Sequence, residues 1–423
     1  MFSTVYWPGG RTYLITSGLQ IARGIAWISE RGIRGAKIRN SGTTAAIYTA
    51  TYLAGVFTDN LNQTTAQIVA GTDAQGLSIN NIVVEQTGVI AGNAPSGAEW
   101  NAVVHLNGAY DSTITDLRVD ATANNTTDGL RLRNSFRHHL VRPYIVRGSV
   151  GTGGIGINSL EQNNASSAID ASVQGLWTVS YSIDNNGDVS NAYTLINPRI
   201  EGNVAAGTGT GLRCTSRAIQ VFGGYIEGRA IPIVLGVTGG EACRGARIEG
   251  TFVGTDVNTV YLVQLNNVQE SYIHIVPQSS YTVSSDEFLS GTVAAGNYGN
   301  TIEWHSVDAD DGALPADLGL ANGANILRVH GRTQTNGTAY QEYLTTTATL
   351  HRTQRHVNRV IAEDYVRLGT VTFESLVADS AFTIRACSNC QVTSGADNTC
   401  ATGGTGALAV RIGAAWRCFA LQN

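Results

Sequence analysis

The chain has 423 residues, 43% of them hydrophobic and 14% charged, with a formal net charge of −5 at pH 7. That balance supplies apolar surface for a large core and excludes a protein whose main partner is nucleic acid, because no basic excess is available to displace counterions from phosphates. Membrane insertion by helices is excluded as well, since no run approaches the roughly eighteen apolar residues that a span requires.

The opening, Met1-Phe2-Ser3-Thr4-Val5-Tyr6-Trp7-Pro8, lacks the charged and apolar regions of a secretory signal. Downstream, apolar residues alternate with period two instead of recurring at helical spacing, which predicts strands. Leu130-Arg131-Leu132, Ile155-Gly156-Ile157, Leu212-Arg213-Cys214 and Ile233-Val234-Leu235 are short strands of this kind, set among Gly, Asn, Ser and Thr turn formers. About half a coil after each comes a second phrase: an aliphatic residue, an acidic or polar one, and often Gly. It is plainest at Arg199-Ile200-Glu201-Gly202, Tyr225-Ile226-Glu227-Gly228 and Arg247-Ile248-Glu249-Gly250. Glu85, Asp120, Val146 and Gln174 fill the same slot before this trio, and His274, Glu303 and His330 after it, in steps of 35, 26, 28, 27, 26, 22, 25, 29 and 27 residues. A step held this steadily marks a stack of supersecondary units. The predicted fold is all-β: a right-handed parallel β-helix of about ten coils over residues 1–335. A polar connector over 336–368 and a small β module over 369–423 are expected to follow, the latter with strands at Val371-Thr372-Phe373, Phe382-Thr383-Ile384 and Leu408-Ala409-Val410-Arg411.

The segment Val5-Tyr6-Trp7-Pro8-Gly9-Gly10-Arg11-Thr12-Tyr13-Leu14-Ile15, with Leu19-Gln20-Ile21 and Ile25-Ala26-Trp27-Ile28 after it, resembles the first coil of pectate-lyase-like β-helix proteins. The aliphatic-Glu-Gly phrases resemble coils of bacteriophage tailspikes and tail fibres of that superfamily, and the segment Gly404 to Cys418 is similar to the C-terminal ends of some phage tail proteins. The resemblance spans residues 5–335 and implies a virion-tail or otherwise extracellular protein that recognises a bacterial surface polysaccharide and depolymerises it. It also implies association as a homotrimer through the C-terminal module. Such proteins carry an amphipathic helix upstream of the first coil, and none precedes Val5. An upstream virion-anchoring domain or a partner protein is therefore expected over that end of the stack.

Three kinds of residue are candidates for chemistry. If Glu201, Glu227 and Glu249 hold one slot in successive coils, neighbouring carboxylates stand about 4.8 Å apart along the stack. At an effective dielectric of 20 they repel by roughly 3 kcal/mol. One answer to that repulsion is catalysis, with one carboxyl as general acid and the other as nucleophile or base, and with Asp120 as a fourth candidate acid. The other is a structural lattice in which Arg199, Arg247 and Arg229 neutralise the acids. A basic concentration at Arg131, Arg133, Arg137, His138, His139, Arg142 and Arg147, echoed at Arg213 and Arg217, suits an acidic glycan. Arg131, Arg133, His138 and Arg213 would bind the polymer, or serve a lyase acting on uronates. The alternative is a solvated face pairing with Asp116, Asp120 and Asp128. Trp27, Trp100, Trp177, Tyr193 and Tyr225 supply candidate stacking surfaces for sugars. A non-catalytic glycan-binding or structural virion subunit is the remaining reading.

No cofactor is required by any motif. Asp184-Asn185-Asn186-Gly187-Asp188 and Asp308-Ala309-Asp310-Asp311-Gly312 are weak calcium candidates, better explained as turns. Cys387, Cys390, Cys400 and Cys418 are expected to form two disulfides, with a structural zinc site built on the Cys387-x-x-Cys390 knuckle and free thiols as the alternatives. Cys214 and Cys243 are expected as buried thiols.

Overall fold

The computed structural model describes residues 3–22, 24–30, 35–49, 75–90, 102–121, 127–133, 135–148, 153–160, 163–184, 191–202, 209–236, 243–254, 262–277, 289–291, 297–305, 325–333, 337–346, 349–353, 370–371, 384–388, 390–392, 399–404, 407–412 and 415–420. The chain divides into two compact units, Met1–Arg355 and His356–Asn423. Among the described residues every regular element is a strand.

The first unit winds along three strand tracks. The first track holds Ser3–Trp7, Ile25–Ser29, Ser78–Asn80, Thr113–Thr115, His139–Val141, Ser167–Ile169, Thr194–Ile196 and Gln220–Phe222. The second holds Thr12–Ile15, Ala36–Asn40, Ile82–Gln86, Arg118–Asp120, Tyr144–Val146, Ser172–Gln174, Arg199–Glu201 and Tyr225–Glu227. The third begins with Leu19–Ile21 and Ile47–Thr49, continues through Ala102–Asn107, Asp128–Arg133, Ile155–Leu160, Val179–Asp184 and Thr210–Cys214, and reaches Ile231–Gly236, Val263–Asn266 and Leu289–Gly291. Strands pair in parallel with their counterparts one coil away. The architecture is the expected parallel β-helix. Among the described residues eight successive coils, Ser3 to Gly236, carry all three strands, slightly fewer than the ten predicted. Beyond them the pattern changes, because strand Arg247–Val253 pairs with both Gln220–Phe222 and Tyr225–Glu227 and fuses two tracks.

The strands form where short apolar residues alternate with polar ones, and the alternation places one apolar column inside each track. In the second track Ile38, Val84, Val119, Ile145, Val173, Ile200 and Ile226 stack in register, all fully buried. Each such side chain contributes about 1.5–3 kcal/mol by leaving water. Single residues in the left-handed region turn the chain from the first track to the second: Asn81, Asp116, Arg142, Asp170 and Asn197, with φ between 50° and 57°. Asn and Asp tolerate that conformation better than other side chains. Arg142 ties its corner to the previous one by a bidentate bond to Asp116, and Arg137 ties another to Asp111.

Past the coils, Tyr272–Pro277, Thr301–His305 and Asn325–Thr333 add parallel strands, and Gly337–Thr346 and Thr349–Thr353 fold back antiparallel. Of the stretch expected as connector, Gly337–Thr346 and Thr349–Thr353 are thus strand; their Thr and Tyr residues favour a pleated ladder over an open linker. The remaining connector residues, 336, 347–348 and 354–368, lie outside the described residues. In the second unit Thr370–Val371, Ile384–Cys387, Ala407–Ile412 and Ala415–Ala420 form one sheet, and Cys390–Val392 pairs antiparallel with Cys400–Thr402. Disulfides join Cys387 to Cys390 and Cys400 to Cys418, and Cys214 and Cys243 are buried free thiols.

Candidate functional site

The slot recognised in the sequence is one outward column of the second track from Glu85 to Glu227. Register partners run Glu85, Asp120, Val146, Gln174, Glu201, Glu227. Glu249 does not continue it. It stands opposite Phe222 in the first track, and Ile226 faces Val253, which gives the position after Glu227 to Gly254. The 22-residue step marks this change of track. His274 and Glu303 follow Glu249 in register, but Glu303 faces Arg328 and His330 faces His305.

Glu201 and Glu227 are therefore a pair rather than two rungs of a trio. Both are half-buried. Successive strands place their backbones about 4.8 Å apart. Gln174 Nε2 donates to Glu201 Oε2 at 2.9 Å, and Tyr144 Oη donates to Gln174 Oε1 at 2.5 Å. Tyr225 Oη donates to Glu227 Oε2, and the Tyr225 ring stacks on Phe252 with centroids 5.5 Å apart and planes 16° from parallel. Arg199 is exposed in the column beside the acids, between Ser172 and Tyr225. The result is a strip on one face of the coil that offers two adjacent carboxylates, an amide and a stacked aromatic pair.

Arg229, expected to neutralise Glu227, is instead fully buried beneath the strip. Its guanidinium donates to the main-chain carbonyls of Gly175 (2.8 Å), Trp177 (3.1 Å) and Glu201 (3.2 Å), and burial pulls its pKa down to about 10. It fixes the coil edge on which Glu201 sits. The predicted lattice holds at Arg247, whose Nη2 lies 2.7 Å from Glu249. It also has a counterpart at Glu85: burial raises that carboxyl's pKa, but hydrogen bonds and charge from Arg39 and Lys37 outweigh it and the net shift is downward.

The basic candidates lie elsewhere and mostly inside. Both faces of strands Ala102–Asn107 and Asp128–Arg133 are closed to solvent, so alternation there does not report exposure. Arg131, 5% exposed, bonds Asp128 through Nε at 2.8 Å and Nη2 at 2.6 Å, and Arg133 is equally buried. Asp128 also accepts from Ile155 N and Asn158 Nδ2. His138 is enclosed: it contacts Ser135 O at 2.6 Å and Tyr193 Oη at 3.1 Å, and burial, aided by His139, lowers its pKa to about 4. The exposed member of the His pair is His139. Trp177 is fully buried against Arg147, whose Cζ lies 4.0 Å from the ring centroid. Trp27 and Tyr193 are buried too. Arg131, Arg133, His138 and Trp177 consequently present no surface to a glycan. Arg213 is partly exposed but engaged by Ser182 and Asp184. Arg142 pairs with Asp116 at an exposed corner, as the solvated-face reading anticipated, whereas the pair of Arg131 with Asp128 lies inside rather than on a solvated face.

Of the sequence candidates, the structure brings together Glu201, Glu227 and Tyr225; Asp120 lies three coils from Glu201 in the same column. Tyr144, Gln174 and Phe252 were missed as site residues, although Gln174 already filled the repeated slot. Among the described residues no carboxylates cluster as cation ligands. Asp184 is occupied by Arg213 and Thr215, and Trp100 and residues 308–312 lie outside the described residues.

No family model matches the chain, and no curated protein does. Three solved structures are similar over most of it. ORF18 of Geobacillus virus E2 is 11% identical with a TM-score of 0.47, covering 99% of this chain and 78% of that one. PfbA, a surface adhesin of Streptococcus pneumoniae, is 10% identical with a TM-score of 0.44, covering 83% and 91%. The A-module of the Azotobacter vinelandii mannuronan C-5 epimerase AlgE4 is 15% identical with a TM-score of 0.28, covering 68% and 87%. On its own strand ladders the chain is a parallel β-helix.

Proposed function

We propose that this protein is an extracellular or virion-tail β-helix that binds a bacterial surface polysaccharide along the second track and hydrolyses it through Glu201 and Glu227. The observation that carries the reading is the direct register of these two acids beside the Tyr225–Phe252 stack. Carboxyl groups about 5 Å apart suit a retaining glycosidase. In that reaction one carboxylate attacks the anomeric carbon while the other protonates the departing oxygen, then takes a proton from the water that releases the sugar. Tyr225 orients Glu227, which is assigned the nucleophilic role; Glu201, held through Gln174, is assigned the acid and base role. The aromatic pair offers a flat apolar face to a pyranose ring. Association as a homotrimer belongs to the same proposal, and sedimentation equilibrium tests it.

The lyase alternative loses three of its four basic candidates, Arg131, Arg133 and His138, to the interior, and the fourth, Arg213, is engaged by Asp184. A non-catalytic binder keeps the same strip and differs only in turnover. Incubation with capsular, lipopolysaccharide and acidic plant glycans, followed by mass spectrometry, decides among them. Saturated oligosaccharides support hydrolysis, unsaturated ends support elimination, and affinity without products leaves a binder.

A further inference from the structure

The second unit gathers its cysteines more tightly than two independent cross-links need. Cys387 ends one strand, Cys390 and Cys400 begin two others, and Cys418 lies within a fourth. All four are buried, and together with Ala407 and Ala409, flanked by Val392 and Trp416, they are the unit's core among the described residues. The sulfurs of Cys390, Cys400 and Cys418 lie within 4.8 Å of one another, and Cys387 is bonded to Cys390. Two disulfides can staple a small unit from opposite sides; here they pack sulfur against sulfur.

We propose that Cys387, Cys390, Cys400 and Cys418 form a tetrathiolate zinc site when reduced, and that the two disulfides are its oxidised, metal-free state. Zinc–sulfur bonds of about 2.3 Å place tetrahedral sulfurs about 3.8 Å apart; the sulfurs of Cys390, Cys400 and Cys418 already lie within 4.8 Å of one another, and Cys387, released from its disulfide bond of about 2.05 Å to Cys390, would complete the set from the next strand end. The Cys387-Ser388-Asn389-Cys390 spacing lets two sulfurs grip one ion from a single turn. An apolar core this small requires a staple in either state. Binding releases four protons from four thiols. Oxidation of the zinc-bound thiolates by two molecules of a small disulfide forms both S–S bonds, reduces the oxidant to four thiolates that take up protons from solvent, and expels Zn²⁺. A chain made in a reducing cytosol would fold around zinc and exchange it for disulfides outside the cell.

The test uses the full chain, purified with a thiol reductant in chelator-free buffer and supplied with zinc alone. Plasma mass spectrometry should find about one zinc per chain. Cys390→Ser and Cys400→Ser should each abolish it, whereas Cys214→Ser with Cys243→Ser should retain it. Adding a small disulfide should release the metal and lower the denatured thiol titre from the six cysteines of the sequence to two. Cobalt in place of zinc should give thiolate-to-metal charge-transfer absorption, a readout that needs no variant to fold. A reduced chain with six titratable thiols that retains neither metal, or metal retained equally by Cys390→Ser and Cys400→Ser, would overturn the proposal.

Discussion

Glu249 stands in register with Phe222, one track away from the column that pairs Glu201 with Glu227. Three look-alike Ile-Glu-Gly phrases therefore have two different fates. Glu201→Gln and Glu227→Gln should each lower kcat by at least about 100-fold, the scale of a lost acid–base group, with circular dichroism and glycan affinity little changed. Glu249→Gln should leave turnover intact and cost less than about 1 kcal/mol, because its ion pair with Arg247 is largely solvent-exposed. Equal activity in all three variants would remove the catalytic assignment.

The glycines that follow these acids should separate in the same way. Gly228 and Gly250 have φ of +66° and +69°, but a Cβ on Gly228 would lie 1.9 Å from the Gly202 carbonyl, while one on Gly250 meets nothing within 4 Å. Gly250→Ala should cost roughly 1–2 kcal/mol for the left-handed backbone alone. Gly228→Ala should cost about 1–3 kcal/mol more for the overlap. Urea unfolding of the two variants measures the difference, and equal midpoints would contradict the placement of the second track.

His138 makes the first unit acid-sensitive. Its folded pKa of about 4 lies below the ordinary 6.5, so the unfolded chain takes up the proton first. Stability is fully present above about pH 6.5, declines as pH falls through the window, and stops declining through this group below about 4, a loss on the order of 3 kcal/mol. His138→Gln should flatten the pH dependence of the unfolding midpoint across that window. An unchanged slope would show that the ring is not enclosed as described.

Asp128 should be among the least tolerant positions. It accepts from Arg131, Ile155 N and Asn158 in a site closed to water. Asp128→Ala strands the Arg131 guanidinium and should cost about 3–5 kcal/mol. Replacing both, Asp128→Ala with Arg131→Met, should recover some of that loss. A double variant no better than the single one would mean that the pair is not coupled.

How much of this could be read in the sequence depends on what each residue reports. Periodicity is a property of the chain, so the steady return of Glu85, Asp120, Gln174, Glu201 and Glu227 gave the coil and the column together. Register is a property of neighbouring coils, and only the short step before Glu249 hinted that the column had ended. Burial was legible where one face meets the core, as at Ile200 and Ile226. It was not legible on the third track, where Arg131 and Arg133 alternate with leucines as surface residues would and are nonetheless enclosed. Sequence could say that His138 and His139 point oppositely, but not which one points in.

The strand Arg247–Val253 also has a mechanical consequence. Elsewhere each coil hangs from the next by ladders that can separate singly, track after track, so tension along the stack should peel the solenoid coil by coil, as a zip opens. At Arg247–Val253 one strand, bulged at Gly250, is laced to two tracks, and both ladders hang on the same segment. Force applied by a tethered polymer would meet its firmest stitch one coil beyond Glu227, and the coils that carry the carboxylate pair would be shielded from unravelling on that side.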